Sequence, residues 1–369
     1  MNAAAPTIGA AARRRGEPRA HRLPASVVLP ALALALAVVA VFAIGHGAYR
    51  IAPADVLRIL GERALGLALG ADAQQAAVLT TIRLPRVLLA VLTGAGLAVA
   101  GSLMQGLFRN PLADPSLIGV SAGAALAAAS VIVLGASWLP GPLRANALAV
   151  STLPLAAFAG SLAVTVLVYR IGRAQGVLSL PITLLAGIAV NAMAMAGVGL
   201  LTYVASDEQL RTLAFWNLGS LAAATWSTLS AVAPPVVLAL AAAWRLAAPL
   251  NALALGEARA EHLGVDVPRT KRRAIVLAAL ATGSLVSMTG VIGFIGLVAP
   301  HLVRLMCGPD HRIVLPGAAL LGAVLVPAAD VVARTSVAPA ELPIGILTAA
   351  LGAPFFLLLL LRHRAAGSL

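Results

Sequence analysis

The residues of this chain best suited to chemistry are six histidines, one cysteine, one lysine and a serine framed by glycines. Their spacing does not assemble a reaction. His21, His46, His262, His301, His311 and His363 are scattered, and none falls into H-E-x-x-H or another metal-ligand spacing. Cys307 stands alone, which excludes an internal disulfide and a cysteine metal cluster. A phosphate-binding loop needs Gly-Lys-Ser/Thr, so that backbone N–H groups and a lysine hold the phosphates. The single lysine, Lys271, instead follows Thr270. Gly119-Val-Ser-Ala-Gly123 matches the G-x-S-x-G nucleophile elbow, a motif that needs a strand before it, a helix after it, and acid and histidine partners for Ser121. Here it opens an alanine-rich run and also reads as G-x-x-x-G helix packing. An intramembrane hydrolase would lose its activity on Ser121→Ala, but no partner for Ser121 is evident in the sequence.

The remaining polar residues interrupt long apolar runs. The longest charged interruption is GEARAEHLGVDVPRTKRR, Gly256 to Arg273. A charged island between two membrane helices has to sit in water on one face of the bilayer. Gly256, Glu257, Ala258, Leu263 and Gly264 outline a short helix closed by a glycine. Asn110, Pro111, Asp114 and Pro115 form a polar break between two apolar stretches. Non-helical backbone at membrane depth is tolerated beside protein or a water-filled cavity, so both a cytoplasmic gate and a plain helix turn fit it. Gln105 and Asn191 are polar residues within apolar runs and are expected to face protein or a pathway more than lipid. Arg211 follows Ser206-Asp207-Glu208-Gln209-Leu210 at the end of another run, where an arginine can snorkel to the interface. Arg83, Arg86 and Arg334 lie at the opposite ends of their runs from most basic residues. Arg334 follows Asp330 at the i,i+4 spacing of a helical ion pair.

Composition places these sites in a membrane protein. The 369 residues are 60% hydrophobic and only 11% charged, with mean hydropathy +0.97. A spanning helix needs about 20 mainly apolar residues, and the expected architecture is all-α and polytopic with about ten such helices. They are read at Ala25–Gly45, Leu84–Leu107, after Asp114-Pro115, Ala147–Tyr169, Pro181–Val204, Trp226–Leu246, Ala274–Ile292, Leu297–Met306, Val314–Val332 and Pro343–Leu361. Ile51–Leu69 carries Asp55, Arg58, Glu62 and Arg63 opposite an apolar face and is expected to lie on the outer surface. Most of the 26 Lys and Arg then fall in segments assigned to the cytoplasm, with both termini inside. The net charge of +13 is therefore read as orientation, with no nucleic-acid partner. Residues 1–24 read as a disordered basic cytoplasmic tail without a clear signal-peptide cleavage site. Residues 25–369 form one transmembrane domain, with 248–273 as its cytoplasmic loop. Gly101–Ala124 and Gly283–Leu315 are faintly alike, as inverted repeats of transporters can be.

Long motifs then carry a family resemblance. IRLPRVLLAVLTGAGLAVAGSLMQGLFRNPLADPSLIGVSAGA (Ile82 to Ala124), GFIGLVAPHLVRL (Gly293 to Leu305), DHR (Asp310 to Arg312) and ELPIGILTAALGAPFF (Glu341 to Phe356) resemble the FecCD family. Its members are permeases of type II ABC importers for ferric siderophores, haem and cobalamin. LLTYVASDEQLRTLAFWNLGSL (Leu200 to Leu221) is most similar to the haem-importer branch, although cobalamin permeases also carry an arginine near this point. The resemblance implies a homodimer with a central pathway in the bacterial inner membrane. It also implies two cytoplasmic ATP-binding subunits and a periplasmic haem-binding protein. The resemblance further implies no permanently bound cofactor, with haem as the transported substrate and ATP and Mg on the partner ATPase. Gly256, Glu257, Ala258, Leu263 and Gly264 would seat on that ATPase, and Arg83, Arg86 and Arg334 would receive acidic residues of the binding protein. Arg211, Asn191 and Gln105 would line the pathway, with two copies of Arg211 near the axis to meet haem propionates. His301 or His46 could visit haem iron, although a structural role for each is the stronger reading. A ferric-siderophore or cobalamin permease is the alternative within the family. An ion-coupled secondary transporter would need mid-membrane acids, and only Asp330 comes near that description.

Overall fold

The computed structural model describes residues 22–365, except 48, 67–69, 71, 139–150, 175–176 and 338–339. Residues 1–21 of the basic tail lie outside the described residues, as do 147–150 of the helix read from Ala147 and 67–69 of the surface segment.

The apolar runs become helices because a chain in lipid has no water to satisfy its N–H and C=O groups. In order they are α1 (Ala25–Gly45), α2 (Pro53–Leu65), α3 (Ala73–Phe108), α4 (Val120–Trp138), α5 (Thr152–Gly172), α6 (Leu180–Val204) and α7 (Asp207–Leu218). There follow α8 (Trp226–Trp244), α9 (Ala247–Ala254), α10 (Glu257–His262), α11 (Val267–Thr289), α12 (Ile295–Cys307), α13 (His311–Thr335) and α14 (Ile344–Ala365). A two-residue hairpin, β1 (Arg173–Ala174) with β2 (Val177–Leu178), joins α5 to α6. Among the described residues, α1, α3, α5, α6, α8 and α13 are long and apolar enough to cross a membrane. Shorter apolar helices come from α4, α12 and α14, and α11 begins with a basic turn before its apolar length. The all-α polytopic architecture of about ten spans holds.

The centre of the bundle is α3, 36 residues long and 83% buried over its most apolar stretch. Two pairs of glycines set its neighbours. Gly94 faces Gly322 of α13, and Gly101 faces Gly296 of α12, each so close that an added Cβ would strike the opposing backbone. Close backbone approach through small residues is how helices gain packing energy in lipid, where apolar burial itself adds little. Leu285 and Leu97 with Ala318 and Val326 fill the space between α11, α3 and α13. Gly123 of α4 meets Gly160 of α5 in the same way. The G-x-S-x-G segment is thus a packing motif, and it is preceded by a 3-10 turn, Pro115–Ile118, instead of a strand.

Four local features refine the sequence reading. The N-terminal end of α3 contains a π-turn at Leu79–Arg83, where the Leu84 N–H donates to the Leu79 carbonyl. The chain after α6 does not simply emerge from the membrane. Ser206 and Gln209 form a reciprocal capping box that starts α7, so Arg211 sits on a separate short helix and not at the end of α6. The segment 248–273 is mostly helical, and Val267–Arg273 are the first turns of α11, started by Asp266, whose carboxylate accepts from the Arg269 N–H 2.9 Å away. The faintly similar stretches beginning at Gly101 and Gly283 pack on each other through the Gly101–Gly296 contact.

Gly101→Ala forces apart two backbones, whereas Gly199 on α6 has open space around it. Overpacking of this kind costs about 1–3 kcal/mol. Thermal unfolding in detergent is expected to show a melting temperature lowered by several degrees for Gly101→Ala and unchanged or raised for Gly199→Ala.

Candidate functional site

The candidate residues occupy the two ends of the bundle and the turn between α3 and α4. At the end remote from α10, Arg86 of α3 bridges two acids. Its Nη2 lies 2.8 Å from Asp330 of α13 and 2.9 Å from Glu341 in the connection to α14, and Nη1 donates to Glu341 at 2.9 Å. Arg334 pairs with Asp330 at 3.4 Å and also donates to the Ala43 carbonyl. Arg83 donates to the carbonyls of Ile44 at 2.7 Å and Gly45 at 2.9 Å, and to that of Tyr49. The Ile44 and Gly45 carbonyls close the C-terminal end of α1, where a helix has no partners of its own to offer, and Tyr49 lies in the chain just beyond it. Arg83 and Arg334 were expected to face a docking partner. They turn inward instead, Arg83 being 5% exposed, because α1 and Asp330 need them. Arg86 connects to the surface through exposed Glu341.

The three expected pathway residues have different surroundings. Gln105 is not open to a pathway. It is 3% exposed, donates to the Gly296 carbonyl at 3.1 Å and accepts from Arg304, so both ends of its amide are taken by α12. Asn191 of α6 donates to the Ser116 carbonyl at 2.9 Å, tying α6 to the 3-10 turn. Its Oδ1 is buried and unpaired. Arg211 is exposed and lines a concavity of about 580 Å³ with Asp207, Glu208, Thr212 and Phe215. That site can present a guanidinium to an anionic group, with its local charge offset by two acids.

The Asn110–Pro115 break is two linked turns. Arg109 ends α3 in the left-handed conformation, and Asn110 Oδ1 accepts from the Leu112 N–H at 2.9 Å. Asp114 caps the 3-10 turn through the Ser116 N–H at 2.9 Å, and burial raises the pKa of its carboxyl. Pro115 opens that turn and is buried, while Asn110 and Pro111 are exposed. Gly296 lies beside the Asp114 carboxylate, so the break abuts the start of α12.

In the 248–273 segment, Gly256 (φ 107°) and Gly264 (φ 82°) bracket α10 in backbone conformations that favour glycine, as the spacing predicts. Ala260 packs fully into the core, leaving Ala258, Arg259, Glu261, His262 and Leu263 in solvent. Glu257, read as one of the ATPase-contact residues, also has a partner within the chain. Its carboxylate lies 2.6 Å from the Nζ of Lys271, which is only 3% exposed. Sequence reasoning also missed Asn251 on α9. It donates to Asp310 at 2.6 Å and accepts from the His311 backbone N–H at 2.9 Å. Asp310 caps α13 through the Arg312 N–H. That bond, with Asn251, holds its carboxyl below the usual range. The uniqueness of Lys271 was the available signal for the first pair; the two halves of the second lie 59 residues apart, too far for local patterning. His46 stacks on Phe42 with ring centroids 3.7 Å apart, and His301 packs edge-on to Phe355, so both sit among structural neighbours.

A helical bundle of this hydropathy, with an exposed helix between two apolar ones and a polar break at one end of its central helix, is that of a polytopic membrane protein. Residues 34–362 match the FecCD transport family, and the chain belongs to that family. It is 52% identical over 287 residues to the hemin transport system permease protein HmuU of Yersinia pestis, covering 77% of this chain and 83% of that one. It is 43% identical over 283 residues to the cobalamin import system permease protein BtuC of Halobacterium salinarum, covering 77% and 73%. A solved inward-facing structure of a metal-chelate type ABC transporter matches with a TM-score of 0.78 and 33% identity, over 91% of this chain and 99% of that one. The fold is that of an ABC transporter permease.

Asp330, 1% exposed, is the shared counter-ion of Arg86 and Arg334. Removing one partner from a buried ion pair costs about 3–5 kcal/mol, because the other charge stays buried. Asp330→Asn is expected to lower the melting temperature far more than Asp55→Asn, whose pair with Arg58 is exposed.

Proposed function

We propose that this chain is the membrane subunit of an ATP-driven importer that carries haem from periplasm to cytoplasm by alternating access. The observation that carries the substrate is the 52% identity to a hemin permease, against 43% for a cobalamin permease over a similar length. The exposed Arg211 fits this substrate, since a guanidinium binds a carboxylate through paired hydrogen bonds and haem has two propionates. Two copies of the chain would enclose the pathway between their α6 helices, which expose Leu185, Ile188, Met193 and Leu200. Both termini would be cytoplasmic in a bacterial inner membrane. The chain would carry no permanent cofactor. Two separate subunits would bind ATP and Mg, seating against Ala258, Leu263 and Gly264, with Glu257 bracing the seat from within. A periplasmic haem-binding protein would approach Arg86 and Glu341, with Arg83 and Arg334 supporting that surface from beneath. The Asn110–Pro115 break, held to α6 by Asn191, would form the cytoplasmic gate. The pathway would contact its cargo weakly, since tight binding would trap it.

Cobalamin or ferric-siderophore import by the same machinery is the second reading, favoured by the relative at 43% identity. Liposomes carrying the permease and its ATP-binding subunit, with ATP inside and binding protein outside, separate the two. Haem is expected to accumulate while cobalamin and a ferric siderophore do not. Arg211→Ala is expected to reduce haem uptake roughly tenfold, the loss of one charge-assisted contact. Entry of another cargo in place of haem would overturn the substrate assignment.

A further inference from the structure

Lys271 is the chain's single lysine, and it is buried where α10 and α11, neighbours in sequence, meet the distant strand β2. Its Nζ lies 2.6 Å from the Glu257 carboxylate, the first residue of α10, and 3.2 Å from the carbonyl of Leu178, the last residue of β2. The Leu178 side chain packs into the same apolar cluster as Ala260 of α10 and Val267 of α11. Leu178 leads through Ser179 directly into α6. The peptide chain links α10 to α11 through residues 263–266, but among the described contacts α10 reaches α6 through this ammonium and the packing around it. A buried ammonium is costly unless it keeps both its counter-ion and its hydrogen bonds. Displacing α10 without α6 would strip one or the other.

We propose that Lys271 is a positioning residue that clamps α10 to the start of α6. Displacement of α10 by an ATP-binding subunit is then delivered to α6, and through the Asn191–Ser116 bond to the Asn110–Pro115 break, in parallel with the covalent route into α11. The proposal rests on the reading of α10 as the ATPase contact. The clamp is not catalytic and touches no cargo. Its removal separates ATP hydrolysis from movement of α6, whereas loss of simple structural support would lower stability and assembly and leave the response of each assembled complex intact.

The test uses a Cys307→Ser background with Tyr203→Cys at the exposed far end of α6, reconstituted in liposomes with the ATP-binding subunit. The rate of modification by a water-soluble maleimide is measured with and without ATP, beside ATP hydrolysis and co-purification of the subunit. ATP is expected to change the labelling rate of this parent. Lys271→Met is expected to retain the subunit and hydrolyse ATP within twofold of the parent, while the ATP-dependent change in labelling shrinks at least fivefold. For Glu257→Gln, which also braces the proposed seat, the same shrinkage is expected in each complex that assembles. Glu257→Gln alters a half-exposed side chain and so stays informative if Lys271→Met does not fold. The double variant is expected to be no worse than either single one, because both remove the same clamp. Variants that respond to ATP as the parent does, or effects of the two substitutions that multiply, would overturn the proposal alone. A parent that binds no ATP-binding subunit would overturn the reading beneath it, and the clamp with it.

Discussion

Glycine-to-glycine contact between helix backbones is the constraint from which most of this structure follows. Lipid gives two apolar helices little reason to associate, so the gain comes from how closely their atoms approach. Gly94 against Gly322 and Gly101 against Gly296 press α3 onto α13 and α12. Once those crossings are set, Arg86 falls beside Asp330, Gln105 beneath the Gly296 carbonyl, and Asp114 beside Gly296 itself. The charge cluster at one end and the polar break at the other are thus positioned by the same line of contacts.

Peripheral elements are then joined to this centre by buried polar groups. Arg83 and Arg334 hold the end of α1, and Arg86 holds the connection to α14. At the opposite end Asn251 holds α9 to the start of α13, while Lys271 holds α10 and β2 to α11. Each tie is expensive to break because the partner left behind remains away from water. Each also spans elements that a transport cycle would have to move relative to one another or as a unit. The segment between α8 and α11 is tied on two sides, through Asn251 of α9 to Asp310 before α13 and through Glu257 of α10 to Lys271 of α11.

Much of this was legible in the chain. Apolar runs of spanning length located the long helices, because the requirement for internal backbone hydrogen bonding in lipid is nearly independent of neighbours, although α3 begins eleven residues and α11 seven residues before the apolar run suggested. Gly256 and Gly264 marked the ends of α10, and Ser206 with Gln209 carried a capping signal for α7 that the apolar-run reading passed over. The long motifs identified the family, and the match over residues 34–362 agrees with them.

What the sequence by itself determined was the set of spanning segments, the water-facing helix between two of them, the lack of a nucleotide loop of its own and the family. These depend on composition and short-range spacing. Only the tertiary structure decided what the charged and polar residues do. Arg83, read as a docking residue, bonds the end of α1; Gln105, read as a pathway residue, bonds α12; and Glu257, read as an ATPase contact, holds Lys271. A side chain's role within a bundle is set by the group facing it from another helix. Asp330 lies 244 residues from Arg86, and no local pattern in a single chain records that they will meet.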